Sequence, residues 1–482
     1  MAFPRFTRLA FLAALCAGVL VPAAALAQAV PFGVTPFHEE PFGTPVDDPA
    51  ALKALAEMSA PASCESGTAL ATFPCQGIDL QSFVSLDALL SGSVASGTPP
   101  PPTGSALWGF VSKNDGREYA FFGASKGAAV VDVTDPTRPV VVGSVPGLAS
   151  IWREVKVYQV FNAAKGRYDA YGYVVSEAPG SGLQILDLTD LPKSVKLAAT
   201  STAFARAHTV YLANVDYATG VGNVPDLRPV LYIEGSDVSG LLAFDIFNPV
   251  APQLRGVYFN SYAHDIWAGV LRGQRARVCP SGSDPCEIVV NWAGDAIRIL
   301  DFSIKENPML ISRLIYPGLG YAHSGWISQD GNYLFSMDEL DERNTEQNTS
   351  VRVIDVRDWA NPQVVAVWVG TNKTIDHNGY AIGDKYFLSN YERGLTILDV
   401  SNPLAPVERA FFDTYPASDT ANFHGAWAVY PFLPSGNILI SNIDGAGGLF
   451  VLKESAPAPV AGPVPRAPIT RVPRPRLTAR SR

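Results

Sequence analysis

Short apolar runs recur along this chain, and most of them end in aspartate followed by a turn that contains proline. Six clear copies read AAVVDVTDP, LQILDLTDLP, LLAFDIFNP, IRILDFSIKENP, VRVIDVRDWANP and LTILDVSNP, and LFVLKES is a degenerate seventh copy. The aspartates are Asp132, Asp187, Asp245, Asp301, Asp355 and Asp399, and Lys453 holds the seventh position. An aspartate after a strand usually accepts backbone N–H bonds in the following turn. We therefore predict a structural role for these six residues.

Each copy lies within a longer unit of about four strand-like runs. The sixth unit, for example, reads HNGYAIG, KYFLSN, GLTILDV and VERAFFDTY, with a turn between successive runs. The units begin near Ser105, Arg153, His208, His264, His323, His377 and His424. Spacings of roughly 45–60 residues with four strands per unit are typical of β-propeller blades. The pattern predicts an all-β, seven-bladed β-propeller over residues 105–453.

The seventh unit supplies only three strands before the chain becomes rich in proline, so ring closure needs a fourth strand from elsewhere. An isolated strand-like run near residues 77–84 precedes the first unit. We predict that it completes the seventh blade, because closure removes the exposed edges of an open sheet. The rest of residues 28–104 is expected to be irregular, and residues 454–482 are expected to be disordered.

The N-terminus has the pattern of a secretory signal peptide over residues 1–27. Arg5 and Arg8 precede an apolar stretch over residues 9–21, and Ala25-Leu26-Ala27 fits a cleavage site. The apolar stretch is short for a membrane span. We therefore expect an exported protein, periplasmic or extracellular, with no transmembrane segment. We also expect it to be a monomer.

The cysteines indicate disulfides and an oxidising compartment, and the net charge limits the kinds of partner. Cys64 and Cys75 enclose one short loop and Cys279 and Cys286 another, so we predict two disulfides in an oxidising compartment. Zinc ligation by these cysteines is less favoured because neither pair has CxxC spacing. A net charge of -9 argues against nucleic acid as a partner.

The chain resembles the LVIVD-repeat propellers, and within them the exported choice-of-anchor B family. The resemblance rests on the strand–Asp–Pro repeats and on three further segments, Phe73-Pro74-Cys75-Gln76-Gly77-Ile78-Asp79-Leu80, Leu107-Trp108-Gly109-Phe110 and Arg117-Glu118-Tyr119-Ala120. It covers roughly residues 64–453 and implies export and a propeller fold, but no known reaction. The C-terminus departs from the family because it shows no apolar anchor and no sorting motif, so surface anchoring is not expected.

Five of the six histidines recur at one position of the repeat, near the start of the first strand of a unit. They are His208, His264, His323, His377 and His424. The first strand of a propeller blade lines the central channel, and the end of the antiparallel second strand lies beside its start. Six units place a carboxylate or amide at that second-strand end, namely Glu177, Glu234, Asn291, Asp338, Asn390 and Asn442.

Imidazoles that converge beside carboxylates and amides are typical of a metal site. We predict that the five histidines, Glu234 and Asp338 hold a metal, and that Asn291, Asn390 and Asn442 orient these ligands through hydrogen bonds. Nitrogen ligands with one or two carboxylates suit iron, copper, zinc or manganese. Glu177 is expected to pair instead with Arg153. The acidic loop over residues 339–346 should lie at the same mouth of the channel.

Two other interpretations of the histidines remain open. They could form a hydrogen-bonded framework, or they could bind a polar ligand without metal. The aromatic residues three positions after a histidine, Trp267, Trp326, Tyr380 and Trp427, should face away from the channel and pack between blades. Three functions follow: an exported binding module for a metal or polar ligand, a metalloenzyme with oxidative or hydrolytic activity, or a passive scaffold for an envelope protein.

Overall fold

The computed structural model describes residues 46–92, 101–238 and 240–456. The predicted signal peptide, and the predicted tail beyond residue 456, lie outside the described residues. Within the described residues the chain forms a seven-bladed β-propeller, which confirms the fold predicted from the repeats. None of the helices in this part of the chain has both the length and the hydropathy needed to span a membrane.

The segment before the first blade contains more regular structure than the sequence indicated. Its elements are α1 (Pro49–Ala56), β1 (Thr68–Ala69), β2 (Phe73–Gln76), β3 (Ile78–Ser85) and α2 (Leu86–Leu90). Asp48 begins α1 by accepting the backbone N–H groups of Ala50 and Ala51 through its side chain. The segment packs on blades six and seven, and α2 also contacts β6 and β7 of blade one.

The first four blades are antiparallel sheets of four strands that follow one another along the chain. Blade one has β4 (Gly104–Val111), β5 (Glu118–Ala124), β6 (Gly127–Asp132) and β7 (Val140–Pro146). Blade two has β8 (Arg153–Asn162), β9 (Arg167–Ser176), β10 (Leu183–Asp187) and β11 (Lys196–Ser201). Blade three has β12 (Thr209–Ala213), β13 (Val230–Glu234), β14 (Leu241–Asp245) and β15 (Gln253–Tyr258). Blade four has β16 (Asp265–Leu271), β17 (Cys286–Trp292), β18 (Ile297–Asp301) and β19 (Met309–Leu314), with a 3₁₀ helix (Gly273–Val278) after β16.

The remaining blades continue this order. Blade five has β20 (Ala322–Ile327), β21 (Tyr333–Asp338), β22 (Ser350–Asp355) and β23 (Gln363–Val369), with α3 (Asp341–Thr345) after β21. Blade six has β24 (Asn378–Ile382), β25 (Lys385–Ser389), β26 (Leu395–Asp399) and β27 (Val407–Phe412). Blade seven has β28 (Ala426–Tyr430), β29 (Asn437–Asn442) and β30 (Gly448–Glu454).

Blade seven is completed by β3, as predicted. β3 pairs antiparallel with β30, and Leu80 lies opposite Leu452. The short strands β1 and β2 extend blade six on its outer edge, where Cys75 pairs with Phe412. The two ends of the folded chain are therefore held in neighbouring blades, and the ring closes without a covalent bond between them.

The innermost strands of successive blades contact one another around the ring, including β28 of blade seven with β4 of blade one. Apolar side chains fill the spaces between blades. Tyr430 of blade seven lies against Gly109 of blade one, where an added Cβ atom would come within 2.2 Å of the tyrosine ring. Close packing of this kind holds the seven sheets at fixed angles around the channel.

The repeated aspartates serve the turns, as predicted. All six accept a backbone N–H from the residue two positions later; these donors are Thr134, Thr189, Phe247, Ser303, Arg357 and Ser401. The two predicted disulfides, Cys64–Cys75 and Cys279–Cys286, are also present. The second one lies in the connection between β16 and β17, at the end of the channel opposite the histidines.

Candidate metal centre in the central channel

Six aromatic rings encircle the channel, and blades two to seven each contribute one. In order they are Trp152, His208, His264, His323, His377 and Trp427. The centroids of neighbouring imidazoles are 4.4, 4.2 and 4.5 Å apart along the row from His208 to His377. Trp427 and Trp152 close the circle, with 4.9 Å between their centroids. We call this arrangement the aromatic ring.

Hydrogen bonds between blades fix the orientation of three imidazoles. The Nδ1 atom of His264 lies 3.1 Å from the carbonyl oxygen of His323, and that of His323 lies 2.9 Å from the carbonyl oxygen of His377. The Nδ1 atom of His377 lies 2.6 Å from the carbonyl oxygen of Trp427. A carbonyl only accepts, so each Nδ1 carries a proton, and in a neutral imidazole Nε2 then keeps its lone pair.

A carboxylate faces two of these Nε2 atoms. Glu339 follows β21 directly, and its oxygens lie 3.4 Å from Nε2 of His323 and 3.5 Å from Nε2 of His377. The hydroxyl of Tyr391 donates to Glu339 over 2.7 Å. One potential ligand atom each from His264, His323 and Glu339 lies within 4.8 Å of the other two. This spacing is compatible with binding of a single metal ion.

Burial keeps two of the imidazoles neutral. It lowers the pKa of His323 well below the usual range, and the neighbouring imidazoles lower it further. Burial also lowers the pKa of His377, to about 3. Neutral imidazole is the form that binds metal ions.

His208 has a different environment. Its Nδ1 atom lies 2.7 Å from Glu177. Burial lowers the pKa of His208, but the hydrogen bond and negative charge of Glu177 outweigh burial, so the net pKa is raised. The expected pairing of Glu177 with Arg153 does not form. Arg153 instead donates to the carbonyl oxygens of Ala124 and Leu148.

The aromatic ring separates two small cavities. The outer cavity, of about 30 Å³, is lined by Glu177, Tyr262, Tyr321, Glu339, Tyr391 and Phe423. The inner cavity, of about 40 Å³, contains Glu154, Lys156 and Asp265. Each has room for a few water molecules or a small ligand. Burial raises the pKa of Asp265 to about 7, and Lys156 forms an ion pair with Glu154.

Aromatic side chains form the floor of the inner cavity. Trp108 lies 5.9 Å from Tyr380, and Trp326 lies 4.8 Å from Tyr380, between ring centroids. The prediction that Trp326, Tyr380 and Trp427 face away from the channel is therefore wrong. Trp267 does pack between blades, where it stacks on Trp359 at 6.3 Å.

β-bulges are one cause of this error. The pairing of β20 with β21 shifts at His323, and the pairing of β28 with β29 shifts at Trp427. A bulge interrupts the alternation of side chains along a strand. His323 and Trp326 therefore both line the channel, although strict alternation places them on opposite faces.

His424 is not part of the aromatic ring. Its Nδ1 atom lies 2.7 Å from Asp444, and its imidazole stacks on Tyr415 at 5.3 Å with an interplanar angle of 8°. Trp427 occupies the place expected for His424, because the bulge turns the tryptophan inward. Of the five histidines predicted to converge, four do so.

Glu234 and Asp338 also lie apart from the aromatic ring. Glu234 accepts the hydroxyl of Thr209, and burial raises its pKa well above the usual range. Asp338 accepts the hydroxyl of Tyr316 and the backbone N–H groups of Gly320 and Tyr321. These carboxylates hold backbone segments and neighbouring side chains, and they do not face the imidazoles.

The three asparagines hold the loops that lead into their blades and make no hydrogen bond to a histidine side chain. Asn291 donates to Ser261 and to the carbonyl of Tyr262. Asn390 donates to the carbonyl of Ile375, and Asn442 to the carbonyl of Thr414. The hydrogen-bonded framework that the sequence left open therefore describes these amides. Three of the imidazoles, those of His264, His323 and His377, bond instead to the backbone of the next blade.

Sequence reasoning missed Trp152 and the role of Glu339, although both occupy repeated positions. Trp152 directly precedes β8, as His208, His264 and His377 directly precede the first strands of their blades. Glu339 directly follows β21, as Glu177 directly follows β9. An alignment of the units shifted by one residue at these two places would have found both.

Among the described residues, one further group has metal-ligand spacing: Cys279, Cys286 and Asp301. The two sulfur atoms of that group are bonded to each other, so it offers no thiolate. The channel group is therefore the one whose chemistry fits a metal.

Comparison with known families agrees with the repeat pattern. Residues 117–146 and 387–414 match the LVIVD repeat. The chain carries LVIVD repeats. The matched segments span β5 to β7 of blade one and most of β25 to β27 of blade six, so the repeat corresponds to the outer three strands of a blade of this LVIVD-repeat propeller. No curated protein matches the chain in sequence.

Solved structures similar to the LVIVD-repeat propeller share little sequence with it. A putative 6-phosphogluconolactonase from Bacteroides fragilis is 13% identical, with 71% of this chain and 92% of that chain covered and a TM-score of 0.43. A hypothetical selenium-binding protein from Sulfolobus tokodaii is 14% identical, with 74% and 91% covered and a TM-score of 0.44. At this level of similarity, the names of these proteins carry no argument about function.

Proposed function

We propose that this LVIVD-repeat propeller is an exported metal-binding module. One transition-metal ion is held in the channel by His264, His323 and Glu339. The Nε2 atom of His377 lies 3.5 Å from the same carboxylate. The two disulfides are compatible with export, because such bonds persist in oxidising compartments. The net charge of -9 argues against nucleic acid as a partner, and the small cavities beside the aromatic ring favour a small ligand.

The main support for this proposal is the position of Glu339 beside the imidazoles of His323 and His377. The Nε2 atoms of His323 and His377 have lone pairs because their Nδ1 atoms donate to carbonyls. Two acceptors that face each other at 3.4–3.5 Å repel unless a metal ion or a proton lies between them. A metal ion satisfies the carboxylate and both imidazoles at once. The carbonyls that accept from Nδ1 are typical partners of metal-bound histidines.

The ligand set narrows the choice of metal without selecting one. Imidazole nitrogens with a single carboxylate suit Fe²⁺, Zn²⁺, Cu²⁺ and Mn²⁺, whereas Mg²⁺ and Ca²⁺ prefer oxygen ligands. Metal analysis of the purified mature protein decides the identity. We expect about one ion per chain.

The test uses two ring variants and a matched histidine control. His323→Ala and Glu339→Gln should each lose most of the bound metal, because each removes one of the three central ligands. His424→Gln removes a histidine from the same repeat register but outside the aromatic ring, so it should keep the metal. A wild-type protein that takes up no metal under any loading condition would overturn the proposal, as would His323→Ala with unchanged metal content.

A metalloenzyme is the second candidate, and the inner cavity favours it. Glu154, Lys156 and Asp265 line that cavity on one side of the aromatic ring, so a small polar substrate could meet the ion there. Turnover in a substrate screen that depends on the metal and is lost in Glu339→Gln would select the enzyme over the binding module.

A further inference from the structure

A third cavity opens at the end of the channel opposite the histidines, and we call it the distal pocket. It lies where the first strands of blades four, five and six end, and residues of the segments that follow β12 and β28 complete its wall. Its volume is about 440 Å³, several times that of either cavity beside the aromatic ring. Sites for small organic molecules usually have volumes of about 300–1,000 Å³. The distal pocket therefore has the size of a ligand site.

Apolar side chains that are only partly buried line the distal pocket. Five different blades contribute them: Tyr217, Trp267, Val270, Ile327, Ile382 and Phe432. Single apolar residues on a protein surface are ordinary, but a group of them that converges on one concavity is typical of a binding site. Ring closure is what brings these six side chains together, because they are distant in sequence.

Two tryptophans form walls of the pocket and are held in place by their neighbours. The indole of Trp267 stacks on Trp359, with 6.3 Å between centroids and an interplanar angle of 4°. It also lies over Gly269, where an added Cβ atom would come within 2.2 Å of the indole. Trp326 packs edge-on against Tyr217, with 5.0 Å between centroids. These walls are formed before any ligand binds, which lowers the entropic cost of binding.

The polar part of the lining is uncharged. It consists of Asn214, Asn223, Ser328 and Gln329, and no acidic or basic residue of the described chain lines the distal pocket. A charged ligand would lose hydration there without gaining an opposite charge. Asn223 and Gln329 are exposed, so their amides can form a hydrogen bond with a polar group of a bound molecule. The lining therefore favours a neutral ligand.

We propose that the distal pocket binds a small neutral molecule with a flat aromatic body. The rings of Trp267, Trp326 and Phe432 offer faces and edges against which another aromatic ring packs. Trp326 also lines the inner cavity, so this side chain separates the two spaces. None of the proposed metal ligands lines the distal pocket, and binding there does not depend on a metal in the channel.

The test uses two fluorescent probes that differ by one charge. N-phenyl-1-naphthylamine is neutral, and 8-anilino-1-naphthalenesulfonate has the same aromatic skeleton with an added sulfonate. The neutral probe should bind the full-length mature protein saturably, at about one molecule per chain. The sulfonate should bind about ten-fold more weakly or worse, because the distal pocket offers it no cation.

Two substitutions locate the probe, and a third is the matched control. Trp267→Ala should weaken binding of the neutral probe by about ten-fold or more, because it removes an aromatic wall. Gly269→Ala keeps every apolar side chain but displaces the indole of Trp267, and it should also weaken binding. Phe247→Ala removes an aromatic side chain that is 79% exposed in the turn after β14, and it should leave binding unchanged.

Crystals of the wild-type protein soaked with the neutral probe cover the case in which a variant fails to fold. The naphthalene should lie between Trp267 and Phe432. The proposal would be overturned by a wild-type protein without saturable binding, by equal affinity for the two probes, or by equal losses in Trp267→Ala and Phe247→Ala. A probe located on the outer surface of the blades would also contradict it.

Discussion

The Nδ1 atom of His377 in blade six lies 2.6 Å from the backbone carbonyl oxygen of Trp427 in blade seven. Equivalent bonds join His264 to blade five and His323 to blade six. Each of these imidazoles is therefore oriented by the backbone of the next blade. The geometry of the candidate metal centre therefore depends on how blades four to seven pack against one another.

The first prediction concerns His377. In His377→Ala the carbonyl of Trp427 keeps a donor, because the hydroxyl of Ser389 also bonds to it at 3.0 Å. The cost should therefore come mainly from the cavity left by the buried ring, and we expect the metal-free protein to lose about 2–3 kcal/mol in its free energy of unfolding. Urea unfolding measures this loss. A change below about 0.5 kcal/mol would show that the imidazole is not packed as described.

The second prediction concerns the closing strand. Leu80 is fully buried in β3 opposite Leu452, so Leu80→Ala should cost about 2–4 kcal/mol in unfolding free energy. Gln81 is the matched control, because it lies next to Leu80 where the register shifts and has no paired residue. Gln81→Ala should change stability by less than about 0.5 kcal/mol. Equal effects of the two substitutions in chemical unfolding would contradict the closure described here.

The third prediction concerns the Cys279–Cys286 disulfide, whose cysteines are seven residues apart. Replacement of both cysteines by serine should destabilise the protein by about 2–3 kcal/mol, because the unfolded chain regains the freedom of that loop. The disulfide lies at the opposite end of the channel from the histidines, so metal content should not change. Thermal unfolding combined with metal analysis checks both statements, and loss of metal in this variant would argue against the assigned site.

The fourth prediction concerns pH and His424. The hydrogen bond that His424 donates to Asp444, with the negative charge of that carboxylate, raises the pKa of His424, although partial burial opposes the rise. A raised pKa means that the folded protein holds the proton more tightly than the unfolded chain does. The contribution of His424 to stability is therefore full below a pH of about 6.5 and is lost as the pH rises through the folded-state pKa.

The measurement compares the Tm of wild-type protein with that of His424→Gln from pH 5 to pH 9. The wild-type protein should be the more stable by about 1 kcal/mol at the acidic end, and the difference should shrink toward the alkaline end. A difference that grows with pH would show that Asp444 does not stabilise the imidazolium.

Much of the fold could be predicted because it follows from local patterns. The strand–Asp–Pro repeat specified the blades and their turns, since an aspartate after a strand can satisfy the next backbone N–H groups without distant partners. The repeat unit of blade seven supplies only three strands. That gap predicted β3 as the fourth strand, because an open sheet edge needs a partner. Pairs of cysteines close in sequence specified the disulfides.

Only the tertiary structure shows which residues form the candidate metal centre. Repeat spacing brought four histidines together, but a bulge placed Trp427 where His424 was expected. Glu339 reaches His323 and His377 because its segment enters the channel just after β21. Side-chain direction at strand ends depends on bulges and on contacts with the next blade, and neither is encoded by the spacing of residues along one blade. The sequence alone therefore determined how many blades form and how they close, whereas packing between blades determined which side chains meet at the axis.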